Sequence, residues 1–156
     1  MQKEPRKTKR FLKIATIIIA ISIILAFFLE IKIVMILLLS LLLLVSYIIY
    51  KEKVGQELIV AFLIAIAWTS YYFYEYTTSN IIISKINLFP LISWTIGFVL
   101  LREIYERLNT KNKFITAIII YGGLLLTAEF IGYYLLGIRL NSNFPSLLGL
   151  GVIHAP

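Results

Sequence analysis

"FLKIATIIIAISIILAFFLEIKIVMILLLSLLLLVSYIIY", residues 11–50, holds only three charged side chains, Lys13, Glu30 and Lys32. As one helix it would be about 60 Å long at about 1.5 Å per residue, twice the roughly 30 Å thickness of bilayer hydrocarbon. The break falls at Glu30-Ile31-Lys32, so the stretch reads as a helical hairpin of two membrane spans, 11–29 and 33–50. The first limb begins like a signal peptide, with a basic start and an apolar middle. No small-x-small cleavage site follows it and a second apolar run begins at once, which predicts a retained helix. Lys13 can snorkel to the interface.

The rest of the chain repeats the pattern. Residues 51–57 read as a polar loop around Gly55 and residues 58–76 as a third apolar helix. A fourth helix is expected over 88–108, with Asn87 as its N-cap and Pro90 in its first turn, where a missing N–H does no harm. Its uninterrupted apolar stretch ends at Leu101, about 21 Å from its start, so Arg102 must snorkel or the bilayer must thin. Beyond it REIYERL continues as a solvated helix end, with Arg102–Glu106 and Glu103–Arg107 spaced as i,i+4 ion pairs. A fifth helix runs over 114–137.

The expected fold class is therefore an all-α integral membrane protein, a bundle of five transmembrane helices. A basic arm, 1–10, precedes the 11–140 membrane domain, and an apolar outer-side tail, 141–156, follows it. The tail is broken by Pro145, Gly149 and Gly151, too interrupted to span. A composition of 60% hydrophobic residues and a mean hydropathy of +0.92 agree, because a soluble domain of 156 residues would carry far more polar surface. No internal repeat divides the chain into matching halves, which disfavours an inverted-repeat transporter within one chain.

With an odd number of spans the termini lie on opposite sides. Of the 15 Lys and Arg residues, those of the N-terminal arm, Lys13, Lys51, Lys53, Arg102, Arg107, Lys111 and Lys113 then share one side. Only Lys32, Lys85 and Arg139 fall on the other. Basic residues accumulate on the cytoplasmic side, so the expected topology is N-in, C-out, in the cell membrane. The formal net charge of +7 is read as orientation and anionic-lipid contact, with no nucleic-acid partner, because the cations flank apolar segments.

Side chains with chemistry gather on the outer side. Glu129 sits among Leu124, Leu125, Leu126, Phe130 and Ile131, about 22 Å along the fifth helix from its inner end. Glu75 falls at nearly the same height on the third. Trp68, Trp94, Tyr72, Tyr133 and Arg139 complete the candidate ligand-binding set. An aromatic belt explains part of this, but belts occur at both interfaces and the tyrosine excess here is on one. Intramembrane carboxylates mark proton relays, ion paths or substrate sites, or else tie helices together by hydrogen bonds. At the end of its helix Arg139 can favour the C-terminal dipole or bind a lipid phosphate. A ridge of Ala61, Ala65 and Thr69 on the third helix, and Ala128 with Gly132 on the fifth, predicts that these two helices pack together, leaving 33–50 peripheral.

Chemistry is otherwise sparse. There is no Cys and no Asp, and the single His is His154, the third residue from the end of the tail. That excludes disulfides, thiolate metal sites and a Cys nucleophile, and no metal or cofactor is expected. No G-x-S-x-G, H-E-x-x-H or P-loop is present, so catalytic residues stay unassigned. The leading expectation is a small membrane protein that binds a lipid or other amphipathic molecule at its outer polar and aromatic site. The alternatives are an isoprenoid or lipid enzyme using Glu129 or Glu75, a channel or proton-coupled carrier built as a homo-oligomer, and an assembly subunit of a membrane complex.

The absence of Cys makes the topology directly testable. Single cysteines introduced within 77–87 or 141–156 should react with an impermeant maleimide added outside intact cells, and those within 102–113 should react only after lysis. The reverse pattern overturns the orientation.

Overall fold

The computed structural model describes residues 4–72, 76 and 80–139, with the side chains of 4–9, 51–54 and 72 outside that description. The chain is mostly helical. Helix α1 is Glu4–Leu25, α2 is Ile31–Tyr72, α3 is Leu88–Arg107 and α4 is Lys113–Phe130, prolonged by a π-helical turn over Ile131–Leu135. Three helical segments are long and apolar enough to cross a membrane: Ile31–Tyr50, Leu88–Arg107 and Lys113–Leu135.

α2 reverses on itself. Tyr50 leaves the helical region (φ −118°, ψ 26°), and Lys32 near the start of α2 lies 4.9 Å from the ring centroid of Tyr76, just beyond its end. A straight helix would hold those residues tens of ångströms apart. The expected loop over 51–57 is thus replaced by a turn concentrated at Tyr50, with helical backbone resuming at once. Gly55 fits the crowded inside of this turn, where an added Cβ would lie 3.6 Å from the Tyr47 ring.

Consecutive helices pack antiparallel. Phe11 of α1 meets Tyr50 at 6.0 Å between ring centroids. The second limb of α2 lies along α3 through Glu57–Arg102 at one end, Trp68–Trp94 in the middle and Tyr76–Phe89 at the other. α3 and α4 meet where Gly97 faces Tyr121 and, near their connection, where the Lys113 ammonium sits over the Tyr105 ring.

The interior is small and polar. The buried residues include Ala15, Ser22, Ala61, Ala65, Thr69, Thr95 and Ala117, whereas large hydrophobic side chains such as Ile23, Ile48, Leu63, Phe114 and Ile119 are exposed. Both buried threonines return their hydroxyls to their own helix, Thr69 donating to the Ala65 carbonyl and Thr95 to that of Leu91, each at 2.7 Å. Neither of these buried hydroxyls is left unpaired.

The expected pairing of the third and fifth helices is corrected. The ridge of Ala61, Ala65 and Thr69 is buried, but its partner is α3, not α4. α4 leans on α3, and an added Cβ at Gly122, Gly123 or Gly132 would meet nothing within 4 Å. The small residues on the second limb were a sound sign of close packing; they did not specify which neighbour. α2 and α3 are consecutive helices, and the nearest helix in sequence took the contact. The first limb of α2 is peripheral as expected, with only Lys32 and Val34 buried along it.

Between α2 and α3 lies a two-stranded hairpin, Ile82–Ile83 paired antiparallel with Ile86–Asn87. Ser84 (φ 48°) and Lys85 (φ 71°) form its two-residue turn. Positive φ at both central positions is the signature of the type I′ turn that suits the right-handed twist of hairpin strands. The sequence reading treated this region as loop, because neither residue is the Asn or Gly such a turn favours.

The closest helix contact is Gly97 against Tyr121, whose hydroxyl would lie 2.6 Å from an added Cβ; that hydroxyl is buried without a hydrogen-bond partner among the described residues. Gly97→Ala should lower thermal stability in detergent, by about 1–3 kcal/mol for overpacking. Tyr121→Phe removes the colliding atom and should restore most of the loss in the double variant. Equal destabilisation with and without the hydroxyl would show that α3 and α4 do not meet here.

Candidate functional site

The antiparallel packing gives the bundle two chemically distinct ends. At one end are the turn at Tyr50, the α3–α4 connection and most of the described cations. Arg102 links Glu57 at 3.3 Å and Glu106 at 3.1 Å, and Arg107 links Glu103 at 3.1 Å. The two i,i+4 pairs are those the spacing predicts. The bridge from Arg102 to Glu57 on the neighbouring helix is additional, and it leaves the other Glu57 carboxylate oxygen, Oε2, buried without a hydrogen-bond partner.

The opposite end is built around a lysine. Lys32 is only 2% exposed. Its ammonium lies over the face of Tyr76, a cation–π contact that gains strength when water is excluded. Tyr76 in turn meets Phe89 edge-on at 5.4 Å. The Tyr76 backbone N–H donates to Asn80 Oδ1 at 2.9 Å, and Asn80 Nδ2 donates back to the Tyr76 carbonyl at 2.8 Å. Asn87 Nδ2 donates to the same Asn80 oxygen at 2.8 Å, while Asn87 Oδ1 accepts the Phe89 N–H at 3.2 Å and so caps α3. One asparagine therefore closes the hairpin, the connection and the helix start together.

The N-cap was legible from Asn87-Leu88-Phe89-Pro90. The role of Lys32 was not. Its one visible signal is a lone cation beginning an apolar run, and its burial depends on Tyr76, which only the reversal of α2 brings near.

At the same end α4 terminates in an aromatic cluster. Phe130 and Tyr134 are 4.9 Å apart between ring centroids, and Tyr133 and Tyr134 are 5.0 Å apart. The Arg139 guanidinium lies 4.9 Å from the Tyr133 ring. It gets there because the helix widens into the π turn and then stops at Gly137 (φ +66°), with the Ile138 N–H donating back to the Gly132 carbonyl at 2.8 Å. A π turn at a helix end commonly accompanies function. Arg139, Tyr134 and Leu135 are exposed, so a cation and aromatic faces border an open apolar surface.

The candidate residues divide accordingly. The structure brings Trp68 and Trp94 together at 5.6 Å, and Trp94 stacks on Phe98 at 5.5 Å, so these rings serve the contact between α2 and α3. Tyr133 and Arg139 meet as described. Glu129 is exposed on α4 and has no hydrogen bond or ion pair among the described residues. The second limb of α2, expected beside the fifth helix, packs against α3 instead. Glu75, the Tyr72 side chain and the tail with His154 lie outside the described residues. Among the described residues no group of three or more His, Cys, Asp or Glu side chains converges.

Comparison with protein-family models, with curated proteins and with solved structures gave no match.

Asn87→Ala removes the α3 cap and the Asn80 contact at once. It should lower stability by about 1–2 kcal/mol, the upper range for a lost N-cap. Lys85→Ala at the exposed turn should change it little. Thermal unfolding in detergent, followed by circular dichroism, checks the order; equal effects would mean that the cap network carries no stability.

Proposed function

We propose that this chain is a multi-pass membrane protein of the cell membrane, crossing five times with its N-terminus inside and its C-terminus outside. We further propose that it binds the headgroup of a phospholipid or another anionic amphipath at the outer end of α4. The inverted distribution of side chains supports the membrane reading: small and polar residues fill the contacts and large hydrophobic ones face outward. The concentration of cations at the end that carries the Tyr50 turn and the α3–α4 connection supports the orientation.

The observation that carries the binding reading is the Arg139 guanidinium over Tyr133, at the end of an exposed apolar helix. A guanidinium presents paired donors in a plane suited to phosphate, and stacking on tyrosine orients that plane. Below it, the exposed Leu135, Ile131 and Leu124 offer a surface for acyl chains. Polar recognition at the mouth and apolar contact below are what an amphipathic ligand requires.

Native mass spectrometry of the purified protein tests this. The wild-type chain should retain a phospholipid through mild detergent extraction, and Arg139→Gln should lose it without loss of helical content. Tyr133→Leu should weaken retention, because the guanidinium is no longer held. Retention unchanged in Arg139→Gln would remove the headgroup site from this end of the molecule.

A further inference from the structure

We infer that α4 is the self-association surface of the protein, where a second copy packs in parallel and the two Glu129 carboxyls meet. This rests on the membrane reading proposed above, and on an observation independent of the headgroup site.

The starting point is the carboxyl group. Glu129 lies about 24 Å along α4 from Lys113, within the apolar segment Lys113–Leu135, and it is exposed without a partner among the described residues. An acidic side chain costs about 2.5–3.5 kcal/mol at the centre of a membrane helix on insertion scales and less towards its end, where Glu129 lies, and such residues almost always face protein or water. Among the described residues Glu129 makes no hydrogen bond or ion pair, and α4 packs against α3 through its other face.

The residues around it form a seam. Ile118, Gly122, Leu125 and Glu129 follow one another at intervals of four, three and four. That is the heptad spacing by which two helices pack with a small left-handed crossing. Ala117, buried against α3, and Tyr121, at the Gly97 contact, immediately precede Ile118 and Gly122. The seam is therefore turned about 100° away from the intramolecular contact and does not compete with it. An added Cβ at Gly122 would meet nothing within 4 Å, so the glycine serves no contact inside the protomer. Across the seam it would let two backbones approach.

The occupant follows from symmetry and from the carboxyl. Copies inserted with one topology present α4 in parallel, and a two-fold axis sets each seam residue against itself. Glu129 then meets Glu129 of the second copy. A carboxylic acid donates one hydrogen bond and accepts another, so this side chain is its own complement once at least one proton is shared by the pair. A single polar residue at such a seam position also fixes register, because any shift along the helix leaves it facing hydrocarbon.

Cysteine cross-linking of the full-length protein in its membrane tests the inference. Ile118→Cys and Leu125→Cys on the seam should form disulfide-linked dimers under mild oxidation severalfold more than Ile119→Cys, which is 69% exposed but off it. In the Leu125→Cys background, Glu129→Gln should keep the yield, since an amide pair also donates and accepts, and Glu129→Leu should lower it. Equal yields on and off the seam, from protein that resists alkaline extraction, overturn the dimer while leaving the membrane reading intact. Release by alkaline extraction overturns the membrane reading on which the dimer rests. A yield unaffected by Glu129→Leu shows that the carboxyl does not hold the pair.

Discussion

In hydrocarbon, burying leucine against leucine gains little, because lipid chains are as apolar as the residue they replace. The interior of this chain is compatible with that constraint. Ala61, Ala65 and Thr69 are the residues covered on the second limb of α2, and Leu91 and Thr95 answer them on α3. What remains to hold the helices is close packing over small side chains together with a few polar contacts. Each threonine satisfies its hydroxyl within its own helix, so the polar group is not what joins α2 to α3. Its small volume is.

The polar contacts that do join elements are placed at the two ends, where water is near. At one end Arg102 spans from α3 to Glu57 and to Glu106. Ion pairs of such exposure are screened by solvent and contribute little, so this end is guided more than clamped. The other end is different in kind. Lys32 is enclosed by Tyr76 and the capped hairpin, and Asn87 serves two elements with one amide. Partly buried hydrogen bonds are costly to leave unpaired, so the end that holds Lys32 and Asn87 is the more firmly specified of the two.

Much of the helical outline was legible. The N-cap at Asn87, the position of Pro90 and both i,i+4 pairs are local features, and the structure contains each of them; the break expected at Glu30-Ile31-Lys32 lies earlier, over residues 26–30, with Ile31 and Lys32 already in α2. The turn at Tyr50 was expected a few residues later, over Lys51–Glu57, because polar residues signal a loop but helical backbone tolerates them equally well. The Ser84-Lys85 turn was missed since its geometry departs from its residue preferences. The site was less legible than the outline. Tyr133 and Arg139 lie close in sequence, and their pairing needs only the helix end. The meeting of Trp68 with Trp94, and of Lys32 with Tyr76, depends on which helix lies beside which.

That last dependence explains the misplaced packing partner. In a soluble bundle a helix declares its buried face by an apolar stripe, and the width of the stripe reports how many neighbours it has. Here apolar residues surround every long helix, so only the small and polar residues discriminate. α2 carries one such ridge and α3 answers it. α4 carries small residues as well, Gly122, Gly123 and Gly132, yet within the protomer they touch nothing. A small-residue face therefore reports that something packs closely, and it is silent on whether that neighbour belongs to the same chain. Glu129 supplies the missing distinction. Glycine exposed to lipid is tolerated at little cost, whereas a carboxyl group exposed at the same depth has a standing need for a hydrogen-bonding partner. The fold meets that need for Lys32 by bringing Tyr76 back along α2. For Glu129 no hydrogen bond or ion pair is formed among the described residues, which is why we propose that a second copy supplies one.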